Sequence, residues 1–198
     1  MARDIKSVLK AGIHSLLSPS PSQPNTSTTI HSPHHHSQTH EQEIHNALAA
    51  HNSARRSARG ARRPDLKWSK DLEAHAQKWA DHLAASGEFR HEGRRGEGEN
   101  LYTRTSDPYT RKSFRHAVRV WVAERGAYSG QRIGGGEFGA LWSLYADRMG
   151  KLGLELGVIW PGTTHVGMAS AAGWDGRQVV VARYAPGGNV VGMDAFHR

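Results

Sequence analysis

Apolar residues recur along this 198-residue chain with a helical period early and a strand-like pattern late. Ile5, Val8, Leu9, Ile13 and Leu16 fall three or four apart, so residues 4–17 read as a marginal amphipathic helix. The period then lapses in "SPSPSQPNTSTTIHSPHHHSQTH". Such Ser, Thr, Pro and His content offers too little burial to offset the entropy of ordering, so residues 1–40 read as a low-complexity, disordered segment. Helical spacing returns at Ile44 and Leu48 and runs to about Arg56, before Gly60 and Pro64 interrupt it. It is clearest at Leu72, Ala76, Trp79, Ala80 and Leu83, which predict a helix from about Ser69 to Ala85 with Gly87 as its stop.

Asp107-Pro108 has the chemistry of an N-cap and a first-turn proline. The helix after it directs Phe114, Ala117, Val118, Trp121 and Val122 to the core, with Glu124 emerging beside that face. Beyond the loop "GQRIGGGEFG", Phe138, Leu141, Trp142, Tyr145 and Met149 form a further helical face. The late segments "LELGVIW", "THVGMASAA" and "RQVVVARY" read as strands, the last two joined by a "GWDG" turn. Helices followed by a late antiparallel sheet predict an α/β sandwich over residues 41–192, with 193–198 as a short tail.

The formal charge is +8, and Arg55, Arg56, Arg59, Arg62 and Arg63 form a basic cluster. Such a cluster attracts anionic surfaces or acidic proteins without naming them. Zinc-finger spacing and the aromatic–basic interleaving of RNA-binding sheets are both missing, so nucleic acid is disfavoured. Cysteine is absent, which excludes disulfides and thiolate chemistry. No apolar run approaches the roughly 20 residues of a membrane span. The start makes a poor export signal, because Lys10, His14 and Ser15 break its apolar positions. His34, His35 and His36 offer weak metal ligands in a tract more simply read as a polar linker.

Chemistry concentrates in "RHEGRRGEGENLY", residues 90–102. One loop can bring His91 to Glu99, and Glu124 can approach from the third helix. An imidazole and two carboxylates suit a structural polar network, a metal site or acid–base work. Spacing alone leaves all three open.

An ordered series of motifs sharpens the reading. His51-Asn52 followed by Arg55, "LKWSKDLEAHAQKWADHLAASG", Gly98-Glu99-Asn100-Leu101, "WVAE" at 121–124, "THVGMA" at 164–169 and "RYAPGGN" at 183–189 resemble the CAP superfamily. This superfamily groups cysteine-rich secretory proteins, antigen 5 and pathogenesis-related protein 1. The resemblance spans residues 44–192 and is nearest to the secreted fungal branch. It implies a three-layer α-β-α sandwich with a central antiparallel sheet and an open cleft, in an extracellular protein. It also implies a motif core of His51, Asn52, Arg55, Asn100, Trp121, Trp160, Tyr184 and Asn189. The family's cleft presents two histidines and two glutamates, sometimes with a divalent cation. Three positions carry over as His91, Glu99 and Glu124.

The second histidine does not carry over. Its run falls on Gly153, Leu154, Glu155, Leu156 and Gly157 before Val158-Ile159-Trp160. Leu154 thus stands where the histidine is expected, and Gly157 stands at a glutamine position. A leucine offers no lone pair, which weakens any zinc site. The segment 140–157 departs from the family pattern altogether, through either a remodelled cleft or an erroneous exon assignment. Met168 and Ala182 occupy common cysteine positions.

By this resemblance the chain is a noncatalytic binder of a sterol, a fatty acid or another small apolar ligand, acting in defence or at a host surface. Tyr102, Tyr109 and Phe114, in and around "TRTSDPYTRKS", are the candidate ligand contacts. The enzyme alternative is metal-assisted or acid–base hydrolysis by His91, Glu99 and Glu124. It lacks a nucleophile, since "HVGMAS" is no nucleophile elbow and neither Ser143 nor Ser170 has a sequence-supported base. A third reading is an interaction protein that uses the basic cluster on an acidic partner.

Overall fold

The computed structural model describes residues 39–60, 62–105, 113–124, 130, 132, 156–190 and 192–196, leaving the side chains of Thr105 and Glu124 outside. Helix α1 spans His40–Arg56, with the Thr39 hydroxyl accepting from the Gln42 amide at 3.3 Å. Strand β1 is the pair Lys67–Trp68. Helix α2, Lys70–Ser86, starts on Ser69, whose hydroxyl accepts from the Leu72 amide. It stops at Gly87, whose φ of 76° supplies the left-handed cap. Its predicted apolar face, Leu72, Ala76, Trp79, Ala80 and Leu83, is buried throughout.

Strand β2 is Gly98–Thr105, helix α3 is Phe114–Glu124, and a 3-10 turn occupies Leu156–Ile159. Strands β3, His165–Ala172, and β4, Arg177–Ala185, close the order. Helix α3 begins later than its proline suggests. The Ser113 hydroxyl accepts from the His116 amide, and Glu43 of α1 accepts the Phe114 amide at 2.7 Å. Asp107-Pro108 lies outside the described residues, as do the expected helices at 4–17 and 138–149 and the segment 1–38.

The sheet order is β1-β3-β4-β2. Strands β3 and β2 flank β4 antiparallel, while β1 adds two parallel pairs to β3. The sheet is therefore neither wholly late nor wholly antiparallel. Its outer strand comes from the polar run "GENLYTRT", paired with β4 from Gly98↔Tyr184 to Thr105↔Arg177. Of the expected strand "LELGVIW", the described part from Leu156 on forms the 3-10 turn instead. The carbonyls of Val158, Ile159 and Trp160 accept from arginine side chains, which take the place of a ladder partner.

Alternation along β4 divides the core into two. Val180, Ala182 and Tyr184 join Ala47 and Ala54 of α1 and Ala117, Val118 and Trp121 of α3. Val179 and Val181 join Ala76, Trp79, Ala80 and Leu83 of α2 on the opposite face. The result is a three-layer α/β/α arrangement around a mostly antiparallel sheet. Met168 and Ala182, the positions expected to align with family cysteines, are fully buried register partners across β3 and β4. No helix among the described residues is long and apolar enough to cross a membrane.

The basic cluster is not one surface. Arg55 and Arg63 are buried, because their guanidinium groups bind backbone carbonyls. Arg55 donates to the carbonyls of Pro64, Val158, Trp160 and Thr163 at 2.8–3.1 Å. Arg63 donates to those of Ile159 and Ala195. Arg56, Arg59 and Arg62 remain exposed, Arg56 on Asp65 at 2.8 Å. Within the stretch expected as a short tail, 193–198, Ala195 is fully buried in the core. The Phe196 backbone lies so close to Gly60 that a Cβ there would come within 2.3 Å of its carbonyl oxygen.

Candidate functional site

Strand β2 presents Glu99 on the same face as Leu101, toward α2. The loop between α2 and β2 brings His91 back to it. His91 Nδ1 donates to Glu99 Oε1 at 2.5 Å, and the Glu92 amide donates to the same oxygen at 3.2 Å. The carboxylate side chain is 6% exposed and the imidazole 40%, so the ring is the solvent-facing member of the pair. A buried carboxylate on Nδ1 fixes the ring's orientation. Glu124 ends α3, but its side chain lies outside the described residues, as do Tyr109 and Leu154.

Behind this pair stands a group that the sequence reading missed. Arg183, directly opposite Glu99 in the β2–β4 register, is fully buried. Its Nη2 lies 2.9 Å from Glu99 Oε2 and also donates to Glu92, and its Nε lies 4.0 Å from Glu97. Glu97 Oε1 accepts from His75 Nδ1 of α2 at 2.8 Å and from Arg94 Nε at 3.1 Å. Arg94 in turn donates to His75 Nε2 at 3.2 Å. Three carboxylates against two guanidinium groups leave one net negative charge while both imidazoles are neutral. The available signal was Arg183 itself, an arginine in phase with Val179 and Val181 in a strand whose alternate positions are all buried.

The motif residues hold the scaffold together. His51 donates through Nδ1 to the Ala47 carbonyl and accepts at Nε2 from the Tyr184 hydroxyl, both at 2.9 Å. Burial, with the nearby Arg55 charge as a smaller contribution, pushes its pKa down to about 4, so the ring is neutral. Asn52 bonds the Leu66 backbone in both directions. Trp121 Nε1 donates to the Leu101 carbonyl, and Asn100 and Trp160 are buried. Asn189 adopts a φ of 56°. Gly157 packs against Tyr184 and Asn100 so closely that a Cβ would meet them at 2.8 and 2.9 Å, which leaves no room there for a larger side chain.

Of the candidate ligand contacts, Phe114 is buried and stacks on Trp68 at 6.4 Å. Tyr102 is half-buried, edge-on to His116 at 5.6 Å. A separate groove of about 460 Å³ opens between α1 and α3. Ala49, Ala50, Ser53 and Ala54 line one wall, Val118 and Val122 the other, with Arg115 and Arg119 also contributing from α3. The small residues on α1 follow the helical period and were the sequence signal for a groove.

The model of the CAP cysteine-rich secretory protein family matches residues 48–184, from the first-helix motif through Tyr184. The chain belongs to the CAP family. The human Golgi-associated plant pathogenesis-related protein 1 is 31% identical to this CAP domain protein over 158 residues, covering 78% of the chain and 90% of the relative. Secreted protein RBT4 of Candida albicans is 31% identical over 151 residues, covering 74% of the chain and 36% of RBT4. Among solved structures, NaASP2 with Zn2+ superposes with a TM-score of 0.61 at 22% identity, covering 83% of this chain and 89% of that one. Na-ASP-1 gives 0.61 at 23%, covering 90% and 46%. Both show the shared fold.

The described residues of this CAP domain do not fit a zinc ion. Among them no three His, Asp or Glu side chains are arranged to hold one. Glu99 already accepts from His91 and the Glu92 amide on one oxygen, and the Arg183 guanidinium forms an ion pair with the other at 2.9 Å.

Proposed function

We propose that this CAP domain is a noncatalytic binder of a small apolar ligand of the fatty-acid or sterol class, taken up between α1 and α3. The observation that carries the reading is the groove, whose volume of about 460 Å³ falls in the range of small-molecule clefts. Alanine and valine side chains supply apolar walls. Arg115 and Arg119 are exposed, and no ion pair among the described residues engages either. That chemistry favours a chain with an anionic head over a neutral ring system. The names of two relatives, one secreted and one Golgi-associated, support passage through the secretory route, and the Candida relative supports a fungal affinity.

The test is saturable binding of a labelled fatty acid and a labelled sterol. Uptake that a groove-filling Ser53→Trp abolishes, and that Arg115→Glu with Arg119→Glu weakens for the fatty acid alone, is the expected result. No saturable uptake of either class sinks the reading. A hydrolytic role is favoured by one observation, the His91–Glu99 pair with its exposed ring, which could hold a proton at Nε2. Turnover that survives His91→Ala would reject that role.

A further inference from the structure

Converging carboxylates ordinarily call for a cation, supplied from solution as a metal or by the chain as a side chain. In this molecule Glu92 and Glu97 of the loop and Glu99 of β2 converge on Arg183. We propose that Arg183 is a built-in counter-cation that takes the place of a metal ion at the Glu92/Glu97/Glu99 cluster, making the His91–Glu99 pair metal-independent. The proposal stands apart from the ligand groove, which lies on the other side of the sheet.

Three observations carry it. Every carboxylate in the cluster is already engaged: Glu99 by His91 and Arg183, Glu92 by Arg183, and Glu97 by His75 and Arg94. The charge is fixed by the backbone, because Glu99 and Arg183 are cross-strand partners on adjacent strands. The guanidinium is also fully buried, so solvent cannot screen it. A divalent ion entering here would strip Glu99 of its partners and sit beside a buried positive charge. Replacing Arg183 with a neutral side chain reverses the balance, leaving Glu92 and Glu99 without their guanidinium and Glu97 with that of Arg94 alone.

The test uses the full chain in four forms: wild type, Glu99→Gln, Arg183→Gln and the double variant. Each is melted in EDTA and in excess Zn2+. The histidine tract at 34–36 is common to all four, so differences between them report the cluster. Wild type and Glu99→Gln are expected to shift equally with zinc. Arg183→Gln is expected to melt lower than wild type in EDTA and to gain roughly 5 °C more from zinc than wild type does. Adding Glu99→Gln should remove that gain. A larger zinc shift in wild type than in Glu99→Gln overturns the proposal, and so does a folded Arg183→Gln with no extra zinc response. If Arg183→Gln does not fold, calorimetric zinc titration of wild type against Glu99→Gln decides. Equal stoichiometry supports the proposal, and one extra equivalent in wild type overturns it.

Discussion

Arg55 and Arg183 are both buried, and the two faces of the sheet neutralise them in opposite ways. On the α1/α3 face Arg55 meets four backbone carbonyls and, among the described residues, no carboxylate within hydrogen-bond reach. Burial and the neighbouring Arg63 push its pKa down to about 10, so it stays charged at neutral pH. On the α2 face Arg183 meets three carboxylates. Carbonyl dipoles belong to the main chain and cannot be titrated or exchanged for an ion, so Arg55 acts as a fastener. Carboxylates can exchange one cation for another, so Arg183 can set what the neighbouring site accepts. Two residues of one type thus serve architecture on one face and site chemistry on the other.

The largest expected effect tests the fastener. Arg55→Met leaves four carbonyls without their donor and should cost about 4 kcal/mol in denaturant unfolding. The loss should be alike at low and high salt, and a strong salt dependence would break the contrast. Acid comes next. His51 is held near pKa 4 when folded, against 6.5 as a free side chain. As pH falls from 6.5 toward 4 the unfolded chain takes up the proton first, so stability declines by on the order of 3 kcal/mol over that window. His51→Gln should lose this contribution to the slope of stability against pH. Gly157→Ala drives a methyl group into Tyr184 and Asn100 and should cost about 2 kcal/mol. The smallest effect belongs to the exposed Arg56–Asp65 pair, where Arg56→Ala should change stability by less than about 0.5 kcal/mol.

What the sequence disclosed follows the range of the interactions involved. Helix α2 was legible end to end, because Ser69, the apolar period and Gly87 are all local signals. Strand β4 was legible through Val179–Val181. Strand β2 was not, since its glutamate, asparagine and threonines resemble a loop until β4 supplies the ladder. The 3-10 turn at Leu156–Ile159 looked like a strand because its apolar composition cannot reveal that arginines about 100 residues earlier bind its carbonyls. The same long reach made Arg55 and Arg63 read as surface charge. His91 and Glu99 sit eight residues apart and could be paired on paper, whereas Arg183 lies more than 80 residues farther on and could not.

The arginine fasteners also bear on synthesis. Beyond the Pro64 carbonyl nearby, Arg55 is satisfied by carbonyls 103 to 108 residues downstream, and Arg63 by one 132 residues downstream. A chain emerging from the ribosome exposes both guanidinium groups long before most of their acceptors exist. The α1 layer therefore gains its last contacts only once residue 195 has been made and has emerged, so it closes late in the order of synthesis.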